Sequence, residues 1–179
     1  YQFMNAISSM WLRVTDALDA VGYWIAPLVL RVLVGWEFFE AGLTKYSGEN
    51  WFGSIQSNFP FPFNVVPPDV SWWMATWFEL AGGALLIVGL FTRFWAASLI
   101  VLTVVATLAV HWGVGDVWSG DVRGYQNIGE VLQGYVITNK GFGNFKLPLI
   151  LLIMLVPLML NGPGKASLDH FIRGRVVGA

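Results

Sequence analysis

The chain has 179 residues, of which 56% are hydrophobic and 12% are charged, and its mean hydropathy of +0.61 exceeds that of water-soluble domains. The formal net charge is −1 and the ten basic residues are scattered, so nothing indicates nucleic acid as a partner. The absence of cysteine excludes disulfides, thiol chemistry, cysteine-bound metal and iron–sulfur clusters. The composition predicts one integral membrane domain over residues 1–179.

The first predicted element is an amphipathic helix over residues 1–22. Apolar residues recur there at helical spacing opposite polar ones, as in a helix that lies in the membrane interface. The apolar positions include Ile7, Met10, Val14, Leu18 and Val21.

Four apolar segments predict transmembrane helices over residues 24–45, 70–91, 94–112 and 145–160. Only Thr92 and Arg93 separate the second from the third, so these two must be antiparallel neighbours. The Asn161-Gly162-Pro163-Gly164 sequence is a helix-stop signal, and a tail follows over residues 161–179. The predicted fold is therefore an all-α four-helix membrane bundle.

Two longer connections, residues 46–69 and 113–144, predict arms on one side of the membrane. The first is rich in aromatic residues and proline, which is typical of a segment at the lipid–water boundary. The second contains a predicted short surface helix over residues 128–137.

Basic residues set the expected orientation, because cytoplasmic loops carry an excess of Lys and Arg. If the spans alternate, one side carries only Arg123 and Lys140, and the other carries Arg13, Arg93, Lys165, Arg173 and Arg175. Both termini and the hairpin are thus expected in the cytoplasm, and both arms outside it.

Ionisable residues inside the predicted spans are the candidate site residues. Each costs at least about 2.5 to 3.5 kcal/mol at the bilayer centre, so they should face the bundle interior and pair. Depth along each helix predicts that Glu37 and Glu79 lie at similar levels near the midplane and that the polar interior opens outward. The residues are Arg31, Glu37, Glu40, Lys45, Glu79, His111 and Lys146.

Alternatives stay open at these positions. An ion pair of Arg31 with Glu37 or Glu79 could serve only packing, and Gly35, Gly42, Gly82 and Gly83 are predicted to be packing positions. The two histidines, His111 and His170, fall on opposite sides of the membrane, which excludes a haem held by two histidines. No cluster has the spacing of metal ligands, so no metal site is predicted.

Three segments together resemble the DoxX family of small bacterial and archaeal membrane proteins. They are Leu30-Arg31-Val32 through Gly35, Gly42 and Lys45; Glu79-Leu80-Ala81-Gly82-Gly83 with Gly89-Leu90-Phe91-Thr92-Arg93; and Gly162-Pro163-Gly164 with Ser167-Leu168-Asp169. The aromatic first arm, the His111-Trp112 pair and the long third connection look most like a proteobacterial branch encoded beside metal-linked peptide-maturation proteins. The resemblance implies that the chain is located in the bacterial inner membrane. Some members of the family are quinone-linked subunits of sulfur oxidation, so the resemblance also implies a quinone-linked role.

Two classes of function follow. The first is a subunit of a quinone-linked redox system, with Glu79 and His111 exchanging protons and Arg31, Glu37, Glu40, Lys45 and Lys146 binding the head group. Its partners would be membrane lipid, membrane quinone and a second protein subunit, with neither haem nor an iron–sulfur cluster in this chain. The second class is a non-catalytic anchor for a partner protein or a small-solute permease that uses the same cavity. Whether the chain is an enzyme stays open at this point.

Overall fold

The computed structural model describes residues 2–138 and 141–177, so Lys140 and the two outermost ends of the predicted domain lie outside the described residues. Within the described residues, three helical stretches are long and apolar enough to cross a membrane: Ile7–Ser47, Pro68–Val88 and Thr92–His111.

The first helix, α1, runs without a break from Gln2 to Ser47, about 69 Å at 1.5 Å per residue. The predicted elements over residues 1–22 and 24–45 therefore lie on one continuous helix. Gly22 weakens a helix by only about 1 kcal/mol. Pro27 removes one backbone hydrogen bond, to the carbonyl of Tyr23, without ending the helix.

The second and third helices follow closely on each other. Helix α2 spans Pro68–Val88 and helix α3 spans Thr92–Ala106, and α3 continues as one turn of π-helix over Thr107–His111. These bounds lie within a few residues of the predicted segments 70–91 and 94–112, because hydropathy changes sharply at both ends.

Shorter elements complete the chain. Helix α4 spans Ile128–Gly134, within the predicted segment 128–137, and α6 spans Leu168–Val177. Helix α5, Lys146–Asn161, is apolar and about 24 Å long, somewhat less than a hydrocarbon core of about 30 Å.

The second arm contains a feature that an all-α prediction leaves out. Strands β1, Val114–Asp116, and β2, Asp121–Arg123, form an antiparallel hairpin in which Gly115 faces Val122. Three-residue strands carry too little alternation to be recognised in a sequence, so the all-α prediction is corrected for this segment.

Glycines bring α1 and α2 into close contact. A Cβ atom at Gly83 would lie 2.6 Å from the carbonyl oxygen of Gly35 and 2.6 Å from the backbone nitrogen of Phe39. A Cβ atom at Gly42 would lie 2.8 Å from the backbone nitrogen of Leu80. The prediction that these glycines are packing positions is confirmed.

The apolar core joins the three long apolar helices and the shorter helix α5. Its buried members come from α1, α2, α3 and α5, so α5 packs inside the bundle rather than beside it. They are Val34, Phe38, Leu86, Ala96, Leu99, Leu155 and Leu158.

The end of the bundle that carries the α2–α3 and α5–α6 connections, here called the turn end, is held by polar contacts. Asp169 accepts hydrogen bonds from the backbone nitrogens of Phe91 (2.8 Å) and Thr92 (3.0 Å), which lie at the start of α3. Arg31 is fully buried here and donates to the carbonyl of Ala166. Gly89 has φ +72° and lies against the Arg31 guanidinium, where no side chain would fit.

The opposite end, here called the arm end, is covered by the two arms. A 3₁₀-helix over Phe52–Asn58 folds back and buries Phe52, Ile55 and Phe59 against Trp72 of α2. The first arm therefore caps the bundle with its own small apolar cluster.

Candidate functional site

The site begins with an ion pair between α1 and α2 near the arm end. Lys45 Nζ lies 2.9 Å from Oε1 and 2.7 Å from Oε2 of Glu79. Glu79 is 4% exposed, and the Lys45 side chain keeps 19% of its surface accessible. The close approach at Gly42, whose Cβ would meet the Cβ of Glu79, places the two charges side by side.

A histidine lies at the same level on α3. His111 Nδ1 is hydrogen-bonded to Asn144 Oδ1, and Asn144 Nδ2 donates to the carbonyl of Thr138 at 3.0 Å. Since the amide nitrogen must face that carbonyl, its oxygen faces the imidazole, and Nδ1 must carry the hydrogen. The neutral ring therefore presents the lone pair of Nε2, which acts as a base or a hydrogen-bond acceptor.

The π-helical turn determines where this histidine lies. Single turns of π-helix recur at functional sites because one inserted residue rotates the following side chains. His111 closes the turn, and its backbone oxygen accepts from Gly143, next to Asn144. The turn thus joins the end of α3 to the segment that holds Asn144.

Two adjoining cavities meet at this polar group. The larger has a volume of about 510 Å³ and the smaller about 260 Å³, and Lys45, Glu79, His111 and Asn144 line both. Beyond this polar end, the larger cavity is walled mainly by aromatic and aliphatic side chains: Trp51, Phe52, Phe59, Phe63, Phe78 and Val105.

The larger cavity opens sideways between α2 and α3. Met74 and Val101 line it, yet they are 41% and 59% exposed on the surface of apolar helices. Ser71, also in the wall, is buried, and its Oγ has no hydrogen-bond partner within residues 2–138 and 141–177. The cavity therefore combines a lateral opening with an unsatisfied hydroxyl.

The predicted site residues separate into groups. Lys45, Glu79 and His111 come together as expected, and Glu37 lines the smaller cavity. Glu40 is exposed and lines neither cavity. The Lys146 ammonium lies 4.9 Å from the ring centroid of Tyr135, at the start of α5 and outside both cavities.

Arg31 is the clearest departure. It precedes Lys45 by 14 residues, about 21 Å along α1, and its guanidinium binds at the turn end. Arg31 and Glu79 therefore do not form the ion pair that the sequence analysis considered. The predicted common depth of Glu37 and Glu79 is wrong as well. Gly42 is the residue beside Glu79, and Glu37 lies about 7 to 8 Å deeper.

Two residues of the site were missed by sequence reasoning. Asn144 stands in a glycine-rich segment and Ser71 in the first turn of α2, and neither position carries a pattern that sets it apart. In the part of the chain that the structure describes, no three His, Asp or Glu side chains are grouped closely enough to hold a metal ion.

A second ion pair lies in the second arm, away from the cavities. Arg123 binds both carboxylate oxygens of Glu130, at 2.9 and 3.0 Å, and the backbone nitrogen of Gln126 donates to the same carboxylate. These contacts lower the pKa of Glu130 to about 2. The pair fixes the N-terminus of α4 beside β2.

Comparison with known proteins agrees with this architecture. The DoxX family model matches residues 26–112, which contain the Lys45–Glu79 pair and His111. The chain is also 40% identical over 156 residues to a protein of Haemophilus influenzae described as uncharacterized. The aligned residues cover 87% of this chain and 89% of that protein. This chain belongs to the DoxX family. As a DoxX family member with three long apolar helices, it is a helical membrane protein in contact with lipid. No solved structure matches the chain.

Proposed function

We propose that the larger cavity binds the head group of a membrane quinone and that the chain is the membrane subunit of a quinone-linked redox system. The observation that carries the proposal is a laterally open apolar cavity whose polar end is lined by the Lys45–Glu79 ion pair and by His111. A lipid-soluble ring enters such a cavity from the bilayer, and polar groups at one end orient it.

The residues of the cavity fit such a ring. Ser71 and Glu79 are eight residues apart on α2, a rise of about 12 Å. If a hydrogen bond of about 2.8 Å forms at each end of this distance of about 12 Å, roughly 6 Å remains between the two ligand atoms that are bound. This distance accommodates one six-membered ring with an oxygen at either side. The unpartnered Ser71 hydroxyl and the polar group at the other end supply the two positions.

The chain's own residues divide the work. His111 Nε2 accepts a proton or a hydrogen bond, while Asn144 keeps Nδ1 protonated and the ring in place. Lys45 donates towards an oxygen, and Glu79 keeps that ammonium charged and positioned. The bound quinone supplies the electron-carrying chemistry, and a redox centre in a partner subunit exchanges the electrons.

The proposal is tested by measuring, for the wild type and for Glu79→Gln in lipid, the quinone that co-purifies and the affinity for added quinone. We expect Glu79→Gln to lose most bound quinone, because Lys45 loses its charged partner. Glu40→Gln is the matched control, since it makes the same change on an exposed side chain outside the cavities. Folded wild-type protein that binds no quinone, or equal losses in both variants, would overturn the proposal.

A second candidate function, an anchor for a partner protein, is favoured by the apolar surface of the second arm. Ile128, Leu132, Ile137 and Trp118 are 73%, 67%, 63% and 54% exposed. An anchor would keep its partner in Glu79→Gln and release it in Ile128→Ser/Leu132→Ser.

A small-solute permease would instead transport solute across vesicle membranes without quinone.

We also propose that α5 is a fourth membrane span, with both arms outside the cytoplasm of a bacterial inner membrane and both termini inside. The proposal for α5 is supported by its core contacts, because Leu155 and Leu158 of α5 pack in the same buried cluster as Leu99 of α3. The chain has no cysteine, so single cysteines report topology directly. A cysteine at Ser119 should react with an impermeant maleimide in intact cells, and one at Gly174 only after permeabilisation.

A further inference from the structure

A second groove lies at the turn end, far from the Lys45–Glu79 pair. Its volume is about 910 Å³, and it is bounded by the α1 segment around Tyr23 and Pro27, the α2–α3 turn and the α5–α6 connection. Neither the ion pair nor His111 lines it, so a ligand there would be independent of the proposed quinone site.

The groove is rich in positive charge that has no anionic partner. Arg93, Lys165 and Arg173 line it and are exposed, and none of them forms an ion pair with a residue of the described ranges 2–138 and 141–177. Lys165 lies over the rings of Tyr23 and Trp24, at 5.8 and 5.9 Å from their centroids. The aromatic rings hold this cation at the rim without neutralising it.

The one acidic residue in the groove is already engaged. Both oxygens of Asp169 accept from backbone nitrogens at the start of α3, at 2.8 and 3.0 Å. The buried Arg31 guanidinium also attracts the Asp169 carboxylate electrostatically. Asp169 therefore does little to offset the three exposed cations, and the groove retains an excess of positive charge.

The wall that faces the side of the bundle is apolar. Phe91, Phe94 and Leu160 line the groove and are 65%, 57% and 62% exposed. Next to it, α6 exposes Phe171, Ile172 and Val176 together with basic residues, the composition of a helix at a membrane surface. Cations at the rim and apolar side chains along the wall match a charged head group that continues into acyl chains.

We propose that the turn-end groove binds an anionic phospholipid, with Arg93, Lys165 and Arg173 around its phosphate and Phe91, Phe94 and Leu160 along its acyl chains. Basic pockets at the ends of membrane helices bind lipid phosphate through such cations. A free phosphate would satisfy the cations but would leave the apolar wall unused.

The test measures lipid retention by native mass spectrometry. Full-length protein is equilibrated in detergent with equal amounts of phosphatidylglycerol and phosphatidylcholine that carry the same oleoyl chains. We expect selective retention of one phosphatidylglycerol. The preference should fall about fivefold for each cation removed, the equivalent of about 1 kcal/mol, and thus about 25-fold in Lys165→Gln/Arg173→Gln. Arg175→Gln is the matched control, because Arg175 is on α6 but does not line the groove.

Folding is checked by size-exclusion chromatography, and Arg173→Glu, a single change at an exposed residue, tests the proposal if the double variant does not fold. An unchanged preference in Arg173→Glu would overturn the proposal, as would equal retention of phosphatidylcholine. Displacement of the lipid by millimolar inorganic phosphate, with no dependence on acyl chains, would assign the groove to a small anion instead.

Discussion

The Lys45–Glu79 pair makes a quantitative prediction about stability. Breaking a fully buried ion pair by removing one partner costs about 3 to 5 kcal/mol, because the remaining charge is uncompensated. Lys45→Met leaves Glu79, only 4% exposed, without its cation, so we expect a loss of about 3 kcal/mol. Glu79→Leu leaves Lys45, whose side chain is 19% exposed and reaches water, so we expect about 2 kcal/mol.

The double variant separates pairing from packing. Lys45→Met/Glu79→Leu removes both charges at once, so its loss should be about 2 kcal/mol rather than the sum, a coupling of about 3 kcal/mol. The assay is equilibrium unfolding in mixed micelles of rising dodecyl sulfate content, followed by circular dichroism. Glu40→Leu, the same change on an exposed residue, should stay within about 0.5 kcal/mol of the wild type. Additive losses, or single losses below about 0.5 kcal/mol, would refute the reasoning.

Three further predictions concern packing, capping and acid. Gly83→Ala should cost about 3 kcal/mol or more in the same unfolding assay, because its Cβ would meet the α1 backbone at both Gly35 and Phe39. Gly22→Ala, with nothing within 4 Å, should be neutral or stabilising by up to about 1 kcal/mol. Asp169→Ala should cost about 1 to 2 kcal/mol, because two backbone nitrogens at the start of α3 lose their acceptor. The pKa of Glu130 is about 2 in the folded chain, below its ordinary 4.5. The pair with Arg123 therefore stabilises the arm fully above pH 4.5, and this stabilisation is lost as the pH falls through 2. NMR chemical shifts of the Glu130 carboxylate will follow the titration, and a midpoint near pH 4.5 would contradict the pairing.

The positions of the apolar helices could be predicted because hydropathy needs no tertiary information. Helices α2 and α3 begin and end within about two to three residues of the predicted segments. The continuity of α1 through Gly22 and Pro27 could not be predicted, since each residue weakens a helix without deciding whether it ends. The π-helical turn that ends at His111 could not be predicted either, because a one-residue insertion does not change the hydrophobic periodicity of the sequence visibly.

The pairing of charges inside the bundle could be predicted, but the residues that pair could not. An intramembrane lysine and glutamate must pair, and Lys45 and Glu79 do so. The relative depth of two helices, however, depends on where their backbones meet, and the sequence does not give that position. Gly42 meets α2 at Leu80 and Gly35 meets it at Gly83 and Ile87, and these contacts place Glu37 deeper than Glu79.

The family motif therefore combines two separate tasks. Arg31, Gly89 and Asp169 meet at the turn end, where they close the α2–α3 connection and hold it against the start of α6. Lys45 and Glu79 lie at the other end, where they form the charged floor of a cavity. The second set borders the cavity proposed for quinone, whereas Asp169 of the first set borders the turn-end groove proposed for a phospholipid. A variant at Arg31 would lower stability without changing the lining of the cavity. Glu79→Gln also lowers stability, but it changes the charged end of the cavity directly. Function is therefore tested at the cavity pair, by comparing ligand binding in variants that remain folded.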